Sequence, residues 1–316
     1  CESENRSKAR IKFLVKKLGL DEFKRLVFEE RAKLRTDERW TAFLADLHST
    51  DEKPLKAPSE LGGGAKPAGY EAWAKTNARP QAQPGYSTAK VNLPLGDFSP
   101  QQGRAVANIM RKYTGDSLRT TVDQNLMFRW VPNADLPALY AELLAVGLAE
   151  AGADSITDIT SCPGTDTCKL GISSSRGLAG ELRRQLKIVE QELAPEAKAL
   201  HIKCSGCFNS CAQHHVADLG FLGVSRNVNG RRVPHFQLVV GGELTHNAAH
   251  YGLAIGAIPS KNVPKAVKTL TDFYLRDKQP DETFRSFIGR VGKKPIRKIV
   301  DDLNAVPSYE QDPSFY

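Results

Sequence analysis

Residues 162–168 read CPGTDTC and residues 204–215 read CSGCFNSCAQHH. Five of the chain's six cysteines lie in these two stretches, and the sixth is Cys1. Each stretch follows a short apolar run that reads as a strand, ITDIT at 156–160 and LHIKCSG at 200–206. Each also carries glycine beside its sulfurs, and a glycine-bearing loop can bend round a compact object and turn backbone N–H groups toward it. Between the two, SSRGLAGELRRQLKIVEQEL at 174–193 has helical periodicity. The order is therefore strand, cysteine loop, helix, strand, cysteine loop.

The spacing narrows what such sulfurs hold. The pairs are C-x5-C (Cys162, Cys168) and C-x3-C (Cys207, Cys211). The opening CESENRSKARIKFLVKKLGL is charged from the start and has no apolar signal core, so a cytoplasmic, reducing location is expected, where disulfides are rare. Structural zinc sites favour tighter knuckles, with two residues between paired cysteines. A 4Fe–4S cluster needs four thiolates round a cube, which irregular spacings from two loops serve well. Spacing thus favours a cluster over zinc or unliganded structural cysteines, without closing either alternative. Cys204 complicates the count: it replaces one of the four or is a buried strand residue. His214 and His215 stand beside the last cysteine. Adjacent strand side chains point to opposite faces, so hydrogen bonding or packing is their expected role.

Hydrophobic residues make up 41% and charged residues 25%, the balance of a soluble globular protein, and no apolar run reaches bilayer length. The net charge of +8 suits an acidic protein partner, anionic substrates or nucleic acid. The basic residues are spread along the chain with no arginine-rich or aromatic–glycine signature, so neither nucleic acid nor membrane is expected as a partner. The chain opens with Cys1 rather than Met, so it is expected to be processed or part of something longer.

Three regions are expected. Residues 1–88 read as a helical segment, broken near Gly19, followed by a Pro/Gly-rich linker from 49 onward. Residues 89–150 run strand (AKVNLPLG), helix (SPQQGRAVANIMRKYTG, with Ser99 as N-cap and Pro100 in the first turn), two strands (SLRTTV, NLMFRWV) and helix, the larger part of a ferredoxin-like layout. Residues 151–316 carry the cysteine loops, the later strands ADLGFLGV, HFQLVVGG and YGLAIGAI, and helices near 261–277, 281–290 and 295–304.

At SCPGTDTC and SGCFNSCAQHHVADLGFLG the sequence closely resembles the nitrite and sulfite reductase haemoproteins, which couple sirohaem to a 4Fe–4S cluster. Residues 91–132 are similar to that family's second ferredoxin-like half-domain, FQLVVGGELTHNAAHYGLAIGAIPSKN onward to its C-terminal stretch, and NRSKARIKFLVKKLG to the segment joining its two halves. The resemblance implies an α+β fold: a helical connecting segment, a ferredoxin-like half-domain and a sirohaem/4Fe–4S domain. It implies that Cys162, Cys168, Cys207 and Cys211 hold the cluster, that Cys211 also bridges to the sirohaem iron, and that Asn209 lies close to the macrocycle. Gln124 and Asn125 match positions near the sirohaem, or else form a polar turn between strands. Cys204 is outside the signature.

The implied activity is six-electron reduction of nitrite to ammonia or sulfite to sulfide, with ferredoxin as donor. Two departures qualify it. Phe208 stands where the family usually has proline, which leaves the loop less pre-set. The family's first half, which brings the distal basic residues that bind the anion, has no counterpart here, and the symmetry-related turn shows Val122 and Asp123. Catalytic residues are therefore unassigned. The alternatives are a cluster-binding fragment or subunit that needs an N-terminal half, omitted or on a separate chain, and a zinc-stabilised interaction domain.

Overall fold

The computed structural model describes residues 9–48, 51–245 and 250–316, so Cys1 and part of THNAAHYG lie outside the described residues. The chain separates into two compact units, one up to Glu52 and one from Lys53. In the first, the expected helix pair forms as α1 (Ile11–Leu18) and α2 (Leu20–Lys33), and Gly19 at φ +82° makes the break. Arg25 pairs with Glu22 and Glu29, a modest helix-surface stabilisation. No side chain of either helix is buried.

The second unit begins with a four-stranded antiparallel sheet in the order β1-β2-β4-β3. Its elements are α3 (Tyr70–Asn77), β1 (Ala78–Pro80), β2 (Tyr86–Val91), α4 (Pro100–Tyr113), β3 (Arg119–Thr120), β4 (Leu126–Pro132) and α5 (Leu136–Ala145). Val91, Phe128 and Val131 from the strands meet Val106, Ile109, Leu139 and Leu143 from α4 and α5 in one core. The N-cap expected at Ser99 is a full capping box with Gln102.

Two elements arise in the stretch expected to be linker. Helix α3 forms because Tyr70 and Trp73, three residues apart, bury against Tyr140, with ring centroids 5.8 and 5.3 Å away. Strand β1 ends in Pro80 on the sheet edge, where a missing N–H costs no ladder bond. Strand β3 is shorter than expected because the chain already turns at Thr121. The Thr121 N–H donates to Asn125 O (2.9 Å), the Gln124 N–H to Thr121 O (3.1 Å), and Gln124 sits at φ +67°.

The second sheet has five strands in sequential order: β5 (Thr160–Ser161), β6 (Ile202–Ser205), β7 (Leu219–Val228), β8 (Arg231–Val240) and β9 (Leu253–Pro259). Helices α6 (Ser175–Val189) and α7 (Pro195–Lys198) lie in sequence between β5 and β6. Helices α8 (Val263–Asp277), α9 (Phe284–Val291) and α10 (Lys293–Asp302) follow β9. Ile202, Cys204, Phe221, Phe236 and Leu238 pack with Leu182 of α6, Leu270 of α8, Phe287 of α9 and Val300 of α10. Full burial of each large apolar side chain contributes roughly 1.5–3 kcal/mol. Asn229 and Gly230, at φ +50° and +80°, close the β7–β8 hairpin in the doubly left-handed turn that matches strand twist.

What positions the site is the parallel part of this sheet. Strand β5 pairs parallel with β6 (Ser161↔Cys204), and β6 parallel with β7 (Ser205↔Leu222). Parallel neighbours end on the same edge, so the loops leaving β5 and β6 emerge side by side. Ligand sites in such sheets form at this carboxyl edge.

Candidate cluster site

Cys162 follows β5 directly, and Cys207 lies two residues beyond β6. The loops are tied through backbone. The Cys162 N–H donates to Cys204 O (3.1 Å), and the Gly206 N–H donates to Cys162 Sγ (3.1 Å). Ile172 and Ser173 both donate to Gly206 O, at 2.9 and 3.2 Å. Within the first loop the Cys168 N–H donates to Gly164 O (3.0 Å) and the Gly171 N–H to Cys168 O (3.0 Å).

Glycine makes this closeness possible. A Cβ on Gly206 would lie 2.7 Å from Gly164 Cα and 3.0 Å from Ser173 O, and one on Gly171 would lie 2.8 Å from Gly164 C. These neighbours are backbone and cannot swing aside. Gly206→Ala is therefore expected to push the two loops apart, costing about 1–3 kcal/mol by overpacking and lowering the iron bound per chain, as urea unfolding and iron analysis would show.

The sulfurs form an inner and an outer pair: Cys162 and Cys207 are buried, Cys168 and Cys211 exposed. Among the described residues no three His, Cys, Asp or Glu side chains converge where one metal ion would sit. A four-iron cube places each thiolate on a different iron, so its ligands need not meet. An N–H aimed at one sulfur, a glycine-packed cradle and four free thiols from two loops fit that group. Leu170 and Ile172 after Cys168, and Phe208 between Cys207 and Cys211, are large apolar side chains left 66%, 41% and 72% exposed. Asn209 is also exposed on this loop, beside Ser210 at φ +59°.

Cys204 is different. It is fully buried in β6 within the apolar core, and burial pushes its thiol well above the usual range. His214 is buried too. Its Nδ1 lies 2.9 Å from Ser205 Oγ, its Nε2 has no hydrogen-bond partner among the described residues, and burial together with neighbouring His215 pushes it down to about 4. His215 stacks on Tyr251 at 5.3 Å.

The turn Asp123-Gln124-Asn125 reaches this sheet from the first one. Gln124 clips the backbone of Ser161, donating to its O (2.7 Å) and accepting from its N–H (3.0 Å). Asn125 donates to both oxygens of Asp158, at 3.0 and 2.9 Å, and accepts from Leu93 N–H (2.8 Å). Burial raises the Asp158 carboxyl above its ordinary range despite these donors. Lys203, buried in β6, donates to Asp123 (2.8 Å) and to Thr160 Oγ1 (3.2 Å). Both amides are thus engaged by protein groups, and the turn holds the two strands from which the cysteine loops leave. The partners Lys203 and Asp158 escaped the sequence reading. A lone lysine inside LHIKCSG was the available signal.

Residues 79–146 match the nitrite/sulfite reductase ferredoxin-like half domain, and residues 152–306 match the nitrite and sulphite reductase 4Fe–4S domain. The chain belongs to the nitrite and sulfite reductase family, whose cofactors are a 4Fe–4S cluster and sirohaem. It is 24% identical to a ferredoxin–nitrite reductase of Synechococcus elongatus over 84% of its own length and 46% of that protein's. It is 28% identical to a sulfite reductase [ferredoxin] of Mycolicibacterium paratuberculosis, covering 92% of itself and 49% of the relative. The structure of the Mycobacterium tuberculosis NirA protein superposes with a TM-score of 0.63 at 25% identity, over 93% of this chain and 50% of that one. The chain thus spans about half the length of the relatives it matches. Among the described residues no helix is long and apolar enough to cross a membrane.

Proposed function

We propose that Cys162, Cys168, Cys207 and Cys211 hold a 4Fe–4S cluster, and that the chain is the cluster-bearing half of a cytoplasmic, ferredoxin-dependent nitrite or sulfite reductase. The observation that carries this reading is the joining of the two cysteine loops at the carboxyl edge of β5 and β6, with the Gly206 N–H on Cys162 Sγ. Cys211, which is exposed, would serve both the cluster and the sirohaem, and Asn209 would help hold the macrocycle. When bound, the coupled pair would supply single electrons for six-electron reduction of the anion. The chain's own residues bind and orient: the four thiolates ligate, the glycine-packed backbone keeps the inner sulfurs from water, and Gln124 and Asn125 fix the strands that present them.

The net charge of +8 supports an acidic ferredoxin as donor. Ferredoxin-supported turnover is then expected to slow as ionic strength rises, and a flat salt dependence in stopped-flow would remove the steering argument. Because the chain spans half of its relatives, a second reading stands beside the first: a cluster cradle whose haem pocket needs the other half.

Anaerobic purification with sirohaem supplied, followed by iron, zinc and acid-labile sulfide analysis and a visible spectrum, tests both. Five irons and four acid-labile sulfides per chain with sirohaem bands supports the coupled pair within this chain. Four irons without those bands supports the second reading. Zinc without sulfide overturns both.

A further inference from the structure

We propose that the Ser175 hydroxyl donates a hydrogen bond to the Cys162 thiolate and thereby raises the reduction potential of the centre that Cys162 ligates. This rests on the four-cysteine reading above. Ser175 is the first residue of α6 and is fully buried. Its Oγ lies 2.8 Å from Cys162 O and 3.3 Å from Cys162 Sγ.

A hydroxyl carries one hydrogen and rotates to suit its surroundings, so this O–H chooses between two acceptors on the same residue. Against a neutral thiol the S–H points at Oγ and the O–H at the carbonyl. Against a thiolate the sulfur has no hydrogen and holds the charge, and the charge-assisted bond is the stronger. Ligation therefore turns the hydroxyl toward the sulfur.

Ser175 cannot swing away from this choice. Gly164 and Gly206 flank its hydroxyl closely enough that a Cβ on either would touch Oγ, and a Cβ on Gly164 would clash outright. The preceding Ser174 caps α6 by accepting from the Gly177 N–H (3.2 Å), which sets the first turn of the helix and its positive end beside Cys162. Cys162 is thus met by a backbone donor from Gly206, a side-chain donor from Ser175 and a helix N-terminus. Hydrogen bonds to cluster sulfurs favour the more negative, reduced state and so move the potential upward.

Redox titration of the loaded protein, followed by electron paramagnetic resonance, tests this in wild type, Ser175→Ala and Ser175→Thr, with iron and sulfide measured in each. The expected result is a more negative midpoint for Ser175→Ala at unchanged iron and sulfide, with Ser175→Thr, which keeps a hydroxyl, close to wild type. An unchanged midpoint in a loaded alanine variant overturns the proposal, and so do equal shifts in both variants, which would assign the effect to packing. Loss of the cluster from the alanine variant, alone or with the threonine variant, would also overturn it, because Ser175 would then be needed for assembly rather than tuning. A wild-type protein that binds no iron would instead refute the four-cysteine reading.

Discussion

Cys211→Ser is expected to strip the protein of its iron, acid-labile sulfide and sirohaem-coupled absorption together, while Cys204→Ser keeps all three. The two sulfurs are seven residues apart in sequence, yet their surroundings are opposite. Cys211 is exposed on the loop after β6, where its sulfur is accessible to a metal centre. Cys204 faces the apolar core beside Phe221 and Leu238, where burial holds the thiol neutral. A serine at 211 keeps the shape but removes the soft thiolate that iron–sulfur chemistry demands. A serine at 204 leaves ligation alone and buries a hydroxyl with no assigned partner, costing about 1–3 kcal/mol. Metal analysis reads the first effect and thermal unfolding the second. Iron lost from Cys204→Ser but retained in Cys211→Ser would exchange their roles.

How much of this was legible in the sequence depended on the range of the interaction. The strand–loop–helix–strand order round the cysteines and the Ser99 cap are local patterns, and the structure contains both. Gly19 likewise ends α1 through its own φ angle. Helix α3 was hidden because Tyr70 and Trp73 sit in a stretch whose proline and glycine content dominates any window, and their partner Tyr140 lies some seventy residues on. The hairpin extends beyond the expected ends of its strands, although Asn229-Gly230 is a strong local turn signal. The tie between the sheets was least legible. Nothing in DQN names Ser161, Asp158 or Lys203 as its partners, since each contact spans more than thirty residues.

The most consequential of those ties is the Lys203–Asp123 pair. Lys203 is 1% exposed, so its ammonium has left water almost completely and relies on Asp123 at 2.8 Å and on Thr160 Oγ1. Asp123→Ala strands that charge, and breaking a buried pair from one side costs about 3–5 kcal/mol. The lower end is expected here because Asp123 itself keeps 22% of its side-chain surface in water. Adding Lys203→Met removes the stranded charge, so the double variant should be more stable than Asp123→Ala alone, a non-additivity that urea midpoints at constant slope would measure. The pH dependence has a definite sign. Burial alone would raise the Asp123 carboxyl, but the hydrogen bond and charge of Lys203 outweigh it and hold the group below its ordinary value. A carboxyl whose folded pKa is depressed adds stability above its unfolded pKa, about 3.9, and loses it as pH falls through the folded value. The gap between wild type and Asp123→Ala should therefore be constant near neutrality and shrink in acid. Because the pair fixes β6, from which the Cys207 loop departs, the same substitution should also lower the iron retained on dilution. A variant that unfolds at the wild-type urea midpoint would show that water reaches Lys203 and that the pair does not hold the sheets together.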